Sequence, residues 1–154
     1  MSLRINKLKM FFAVALTVAL VGCSKPNESG ASAGHAHAAP HGGALVMLGQ
    51  HAAQLELVPE NGGKTWALYV LDGGAQRFVR VEQESVSATL DGRSVVFQAI
   101  ENPATGEIAG NTSKFGLEAD WLDPNGSFSV EIDEIVIFGQ AFLGIEFPFP
   151  EGKH

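Results

Sequence analysis

The sequence predicts an all-β protein, an antiparallel β-sandwich of short strands, on three observations. Turn-forming residues recur at short intervals from Asn61 onward, and apolar and polar residues alternate between them with the two-residue period of a strand. No stretch of ten residues keeps a helical period without a turn signal inside it. Many short strands with regular turns and no helix pack most simply as two facing antiparallel layers.

The turn signals are Asn61-Gly62-Gly63, Asp72-Gly73-Gly74, Asp91-Gly92, Asn102-Pro103-Ala104-Thr105-Gly106 and Asp123-Pro124-Asn125-Gly126. Asn, Asp and Gly tolerate the positive φ that tight hairpins require. Nine strands lie between such breaks, over residues 44–48, 51–58, 65–71, 77–81, 85–90, 94–100, 114–121, 127–138 and 142–147. The first two flank Gly49-Gln50 as a two-residue hairpin loop, which sets Leu48 opposite His51 and Val46 opposite Ala53. Alternation is clearest in Gln54-Leu55-Glu56-Leu57 and in Ser129-Val130-Glu131-Ile132-Asp133, and marks one buried and one wet face. The predicted core is Leu55, Leu57, Trp66, Leu68, Val70, Val96, Phe115, Leu117, Val130 and Ile132. Residues 138–149 hold four phenylalanines and one proline, with a second proline at 150, and read as the last strand with the ends that close the core, or as an aromatic patch that docks a partner.

This domain begins at Gly43 and runs to residue 154, about 110 residues, long enough to bury one core. Ahead of it, residues 24–42 are small, polar and interrupted by proline. They read as a flexible tether, with a random-coil reach on the order of 25 Å.

The N-terminus reads as a secretion signal. Arg4, Lys7 and Lys9 form a basic n-region, and residues 10–21 form an almost unbroken apolar run. A spanning helix needs roughly 20 apolar residues, so a run this short fits a segment that is cleaved. Leu20-Val21-Gly22-Cys23 resembles the lipobox of bacterial lipoproteins, in which the cysteine is acylated and becomes the mature N-terminus. That resemblance implies a signal peptide over residues 1–22, lipid on Cys23 and a membrane-held mature chain. Cys23 is the only cysteine, so an exported chain has no internal disulfide for it. Each buried CH₂ of an acyl chain contributes ~0.8 kcal/mol, so several chains anchor far better than one. An Asp after the cysteine is the common inner-membrane retention signal of Gram-negative lipoproteins. Ser24 at that position therefore favours the periplasmic face of the outer membrane.

Removal of residues 1–22 takes away three cations and no acid, which moves the formal charge from −7 to −10. That charge excludes nucleic acid as a partner and repels anionic headgroups, leaving anchorage to the lipid. Its simplest use is to keep an exported protein soluble.

Three of the five histidines, His35, His37 and His41, fall within seven residues of the tether. Neutral imidazole is a good ligand for zinc and copper, and a flexible segment can wrap several rings around one ion. The tract therefore reads as a Cu or Zn site; the competing reading is a low-complexity Ala-Gly-His linker. His51 is a further metal candidate. At about 3.3 Å per residue, however, the hairpin holds it roughly 20 Å from His41 unless the tether folds back over the strand.

Residues 35–43, His-Ala-His-Ala-Ala-Pro-His-Gly-Gly, followed by Leu45, Gly49 and Leu55-Glu56-Leu57, resemble the histidine-rich segment that leads into a small β-domain in some bacterial lipoproteins and in periplasmic adaptors of heavy-metal efflux systems. The similarity covers residues 35–81. It implies a stand-alone accessory that captures or delivers a metal ion, with an efflux or other envelope protein as partner. Relatives often carry a histidine where this chain has Gln54, and the helical hairpin and barrel of a complete adaptor are missing.

Enzyme chemistry finds no support. The sequence has no phosphate-binding loop or cysteine-histidine pair, and its Gly-x-Ser-x-Gly match at residues 30–34 lies in the tether rather than between a strand and a helix. A hydrolytic zinc site needs ligands on rigid elements, whereas these sit on a tether. Glu131 with Asp133, and Glu82 with Glu84, read as solvated strand faces. The sequence thus predicts a metal-binding lipoprotein without catalysis or organic cofactor, or alternatively a structural or protein-interaction module on a lipid tether.

Overall fold

The computed structural model describes residues 38–153. They are all-β, as the turn spacing and alternation require. The strands are β1 (Ala44–Leu48), β2 (Ala53–Glu60), β3 (Thr65–Asp72), β4 (Ser85–Leu90), β5 (Arg93–Ala99), β6 (Lys114–Glu118), β7 (Phe128–Ile137) and β8 (Gln140–Phe149), with a 3₁₀ turn at Asn61–Gly63. All eight hydrogen-bond into one antiparallel sheet in the order β1-β2-β3-β6-β5-β4-β7-β8. The two outer strands meet through Lys153, whose carbonyl accepts Met47 N at 2.9 Å while its own N–H donates to Leu45 O at 2.8 Å. Gly152 makes that approach feasible, because a Cβ there would lie 2.1 Å from Leu45 O and its φ is +71°.

Eight strands form rather than nine. Residues 77–81 make only isolated bridges, Leu71 to Phe78 and Val81 to Thr112. A tight turn precedes them, in which Asp72 Oδ1 accepts Gln76 N and Arg77 N, at 2.9 and 3.3 Å, and Asp72 Oδ2 accepts Arg77 Nε at 2.9 Å; pairing with β3 then ends at Val79, and Val81 turns to Thr112. The first hairpin also differs from expectation. Leu48 pairs with Ala53 and Val46 with Leu55, so the loop is four residues long, closed by Ala52 N to Leu48 O at 3.1 Å. Gly49 and His51 supply its positive φ angles. The register moves by two residues, so every side chain keeps its face.

Trp66, Leu55, Leu57, Leu68, Val70, Phe115, Val130 and Ile132 are buried as expected, and Leu117 packs against them half-buried. Val96 is a correction: it is 44 % exposed, and Phe97 beside it takes the core position. Three consecutive apolar residues, Val95-Val96-Phe97, carry no alternation from which to choose a face. Trp66 anchors one end of the core, edge-on to Phe128 and Phe149 at 5.6 and 5.1 Å.

Alternation in the last hairpin changes phase midway. Ile132 pairs with Ile145 and Glu134 with Leu143, and the ladder skips Asp133 and Gly144, whose φ is +55°. Phe128, Val130 and Ile132 point inward before the break, and Ile135 and Ile137 after it. Antiparallel pairing sorts the connections to two ends. One end carries residues 49–52, 73–84, 100–113 and 138–139; the other carries 61–64, 91–92, 119–127 and 150–153.

Candidate functional site

β2 points Leu55 and Leu57 at the core, which turns Gln54, Glu56 and Val58 outward. Alternation predicts a wet face here, but Gln54 and Glu56 are fully buried. The cover comes from two segments. Residues 38–43 fold over the outer face of β1, β2 and β3, making a turn in which Gly42 N donates to Ala39 O at 3.2 Å. Beside them, Ala75 joins Leu45 and Leu71 in a small second apolar cluster, against which Ala39 and Tyr69 pack.

Glu56 is the centre of this arrangement. A carboxylate removed from water costs several kcal/mol unless donors replace the lost hydration. Three do. His41 N and Gly43 N donate to Oε1 at 2.8 and 3.0 Å, and His41 Nδ1 lies 2.7 Å from Oε2. The imidazole stacks on Tyr69 at 4.2 Å with 10° between the planes, and Phe78 flanks it at 5.7 Å. Its orientation is therefore fixed by one hydrogen bond and two rings, with the side chain 30 % exposed. When the ring is neutral and Nδ1–H is donated to the carboxylate, Nε2 carries the lone pair. Nε2 has no hydrogen-bond partner among the described residues.

A second polar group adjoins the first. Tyr69 Oη donates to Glu60 Oε1 at 2.9 Å, Lys114 Nζ reaches the same oxygen at 2.8 Å, and the ammonium sits 5.0 Å from the Tyr69 ring centroid. Burial works to raise the Glu60 carboxyl, but the hydrogen bonds from Lys114 and Tyr69 outweigh it and hold the group below its ordinary value. Burial and the hydrogen bond to Glu60 push the Tyr69 hydroxyl up, against the influence of Lys114. Gln54 is tied elsewhere: its Nε2 donates to Gly73 O at 2.8 Å, and Oε1 has no protein partner among the described residues.

Of the sequence-predicted site residues, only His41 and His51 are described; Cys23, His35 and His37 lie outside the described residues. His41 sits on the sheet with Glu56. His51 lies at the tip of the β1–β2 hairpin, beyond the Leu48–Ala53 pair, exposed and at φ +59°. Among the described residues no group of three or more His, Cys, Asp or Glu side chains could hold a metal ion. The residues that sequence reasoning passed over are Glu56, Tyr69 and Phe78. An acid alternating with Leu55 and Leu57 carries no mark of burial, because what buries it lies fifteen residues upstream.

Comparison of the chain with protein-family models, with characterised proteins and with solved structures gives no match.

Proposed function

We propose that this protein is a lipid-anchored envelope protein that binds a divalent copper or zinc ion through His41, with His35 and His37 as the other ligands, as an accessory to metal homeostasis or efflux. The observation that carries the reading is the bond from His41 Nδ1 to the buried Glu56 carboxylate. Metal-binding histidines almost always donate their second ring nitrogen to a carboxylate or carbonyl, which fixes the tautomer and raises the basicity of the ligating nitrogen. Glu56 is placed to do both for Nε2 of His41. His37 and His35 precede it by four and six residues, so ligands from one short segment can converge on the same ion. Copper fits three imidazoles better than zinc does, because the stability order of divalent ions peaks at Cu²⁺. Each ring binds only when neutral, so affinity falls in acid.

The geometry also favours a second reading. Glu56 accepts two backbone N–H groups besides the ring, so it latches residues 41–43 to the sheet whether or not a metal is bound. On that reading the chain is a structural or protein-interaction module whose tether starts at a fixed point.

Calorimetric titration of the mature Cys23→Ser chain with Cu²⁺ separates them. Three imidazoles whose side chains are immobilised on binding should give roughly micromolar affinity. The His35, His37 and His41 triple alanine variant should lose binding, His51→Ala should keep it, and Glu56→Gln should weaken it about 10- to 100-fold. Equal binding by the triple variant would leave the latch as the only role. Anchoring has its own test: labelled fatty acid should enter the wild-type chain and not Cys23→Ser, and incorporation into both would refute acylation at Cys23.

A further inference from the structure

Phe138 occupies a position that its residue type does not suit. It begins the two-residue turn between β7 and β8 at φ +53°, followed by Gly139 at φ +75°. Turns with positive φ at both central residues favour Asn-Gly or Asp-Gly, and a bulky side chain there is strained. The side chain recovers nothing by burial, since Phe138 is 74 % exposed. Leu143, on the adjoining strand of the same hairpin, is 69 % exposed, and Ile108 in the 100–113 connection is 57 % exposed.

Phe138 and the 100–113 connection that carries Ile108 share one end of the sheet and are joined by residues 80–83, while Leu143 lies up β8 from the turn, beside Leu48 and Gly49. Residues 80–83 line a recess of about 420 Å³ with Val136 and Phe138. On their other side Val81 bridges Thr112, and the Arg80 guanidinium donates to Thr105 O. Arg77 and Arg80 stand at this end too, paired with Asp72 and Glu107. The exposed acids Glu82 and Glu84 beside them disfavour an anionic surface. The opposite end offers Trp121, but its ring lies under the Arg93 guanidinium at 4.4 Å.

The chain also enters the domain near this end. Ala39 packs against the cluster of Leu45, Leu71 and Ala75, of which Leu71 lies near the end of β3 and Ala75 in the connection after it. Cys23 lies only fifteen residues before Ala38, at most ~50 Å of extended chain.

We propose that this end of the sheet rests on the bilayer, with Phe138, Leu143 and Ile108 entering the headgroup layer of zwitterionic lipid. The inference rests on the reading that Cys23 carries the anchor. A short tether holds the domain at high local concentration over the surface, so contacts too weak to recruit a free protein suffice to orient a tethered one. A strained, exposed aromatic at the hairpin tip then has a use.

The test fixes the attachment point chemically. The mature Phe138→Trp chain is coupled through the thiol of Cys23, the only cysteine, to a maleimide-headgroup lipid in zwitterionic phosphatidylcholine vesicles. Brominated acyl chains should then quench the new tryptophan by about half, since interfacial side chains reach ~5–10 Å into the headgroup and acyl boundary. Trp66 in the core and Trp121 at the far end should be nearly unaffected in the wild-type chain. Leu143→Trp is a second reporter should Phe138→Trp fail to give a strand-dominated far-UV spectrum. Quenching no greater than in wild-type, or quenching of Trp121 instead, would overturn the orientation and leave the exposed tip to a protein partner. Because coupling replaces acylation, this result is independent of the fatty-acid test of the anchor.

Discussion

The outer face of β1, β2 and β3 and the outer face of β4, β7 and β8 start from the same strand pattern and end in opposite environments. On the first, Gln54 and Glu56 alternate with core leucines and are fully buried under residues 38–43 and the connection after β3. On the second, Ser129, Glu131 and Asp133 alternate with Val130 and Ile132 and stay in water. Alternation reports which residues face the core. It says nothing about what lies against the other face, and at β2 that is where the candidate site is built.

The largest effect that separates the two faces should come from the same residue type on each. Glu56→Ala removes the acceptor of three donors and loosens the cover over Leu45 and Leu71, and should cost about 2–3 kcal/mol. Glu131→Ala on the open face should stay within about 0.5 kcal/mol of wild-type. Urea unfolding of both variants checks this. Equal losses would show that the cover contributes nothing.

His41→Ala should follow at about 1–2 kcal/mol, since it removes one charge-assisted hydrogen bond and the stack on Tyr69 but leaves both backbone donors in place. Amide hydrogen exchange at Gly43 offers a local readout. Exchange there should quicken more in Glu56→Ala than in His41→Ala, because only the former removes the amide's acceptor.

Much of the strand layout was legible before the fold was known, because strands are bounded by local chemistry. Ser85–Leu90 and Ala44–Leu48 have the bounds that their turn signals imply. What escaped was set by tertiary contact or by atypical turns. Residues 77–81 read as a strand on β-propensity, but they follow β3 only as far as Val79 and then pair through Val81 with Thr112, so their pairing is split into isolated bridges. Phe138-Gly139 is a turn without a turn-forming first residue, and the phase change at Asp133 and Gly144 occurs in both strands at once, so neither shows in a periodicity count. His41 was legible as a candidate ligand by its spacing from His35 and His37. Its carboxylate partner, fifteen residues on, was not.

Acid should also distinguish the two faces. Hydrogen bonds from Arg77 and the Gln76 amide hold the Asp72 carboxyl at about 2, below its ordinary 3.8. A carboxyl depressed in the folded state contributes stability that is present above the unfolded value and is lost as pH falls through the folded one. The turn that helps to cover β3 should therefore weaken between about pH 4 and pH 2. Because Arg77 is 84 % exposed, water screens its charge and the effect is modest. Unfolding free energies measured across that window should fall less steeply in Asp72→Asn than in wild-type, and an identical slope would assign the acid sensitivity to other groups.

The smallest effect belongs to the open face, and its sign is the informative part. Glu131 and Glu146 are direct cross-strand partners in the β7–β8 ladder, with Thr89 opposite Glu131 on β4. Like charges placed this way destabilise a sheet, and an opposite pair stabilises it by roughly 0.2–1 kcal/mol. Glu131→Lys should therefore raise stability by about 0.5 kcal/mol, by removing one repulsion and supplying one attraction, and the gain should shrink in high salt. The double variant Glu131→Lys, Glu146→Gln isolates the attraction, since it keeps the lysine and loses its partner. A gain that survives that second substitution would come from the long aliphatic stem of lysine packing on the open face rather than from charge. Such a result would mean that this face, too, benefits from being covered.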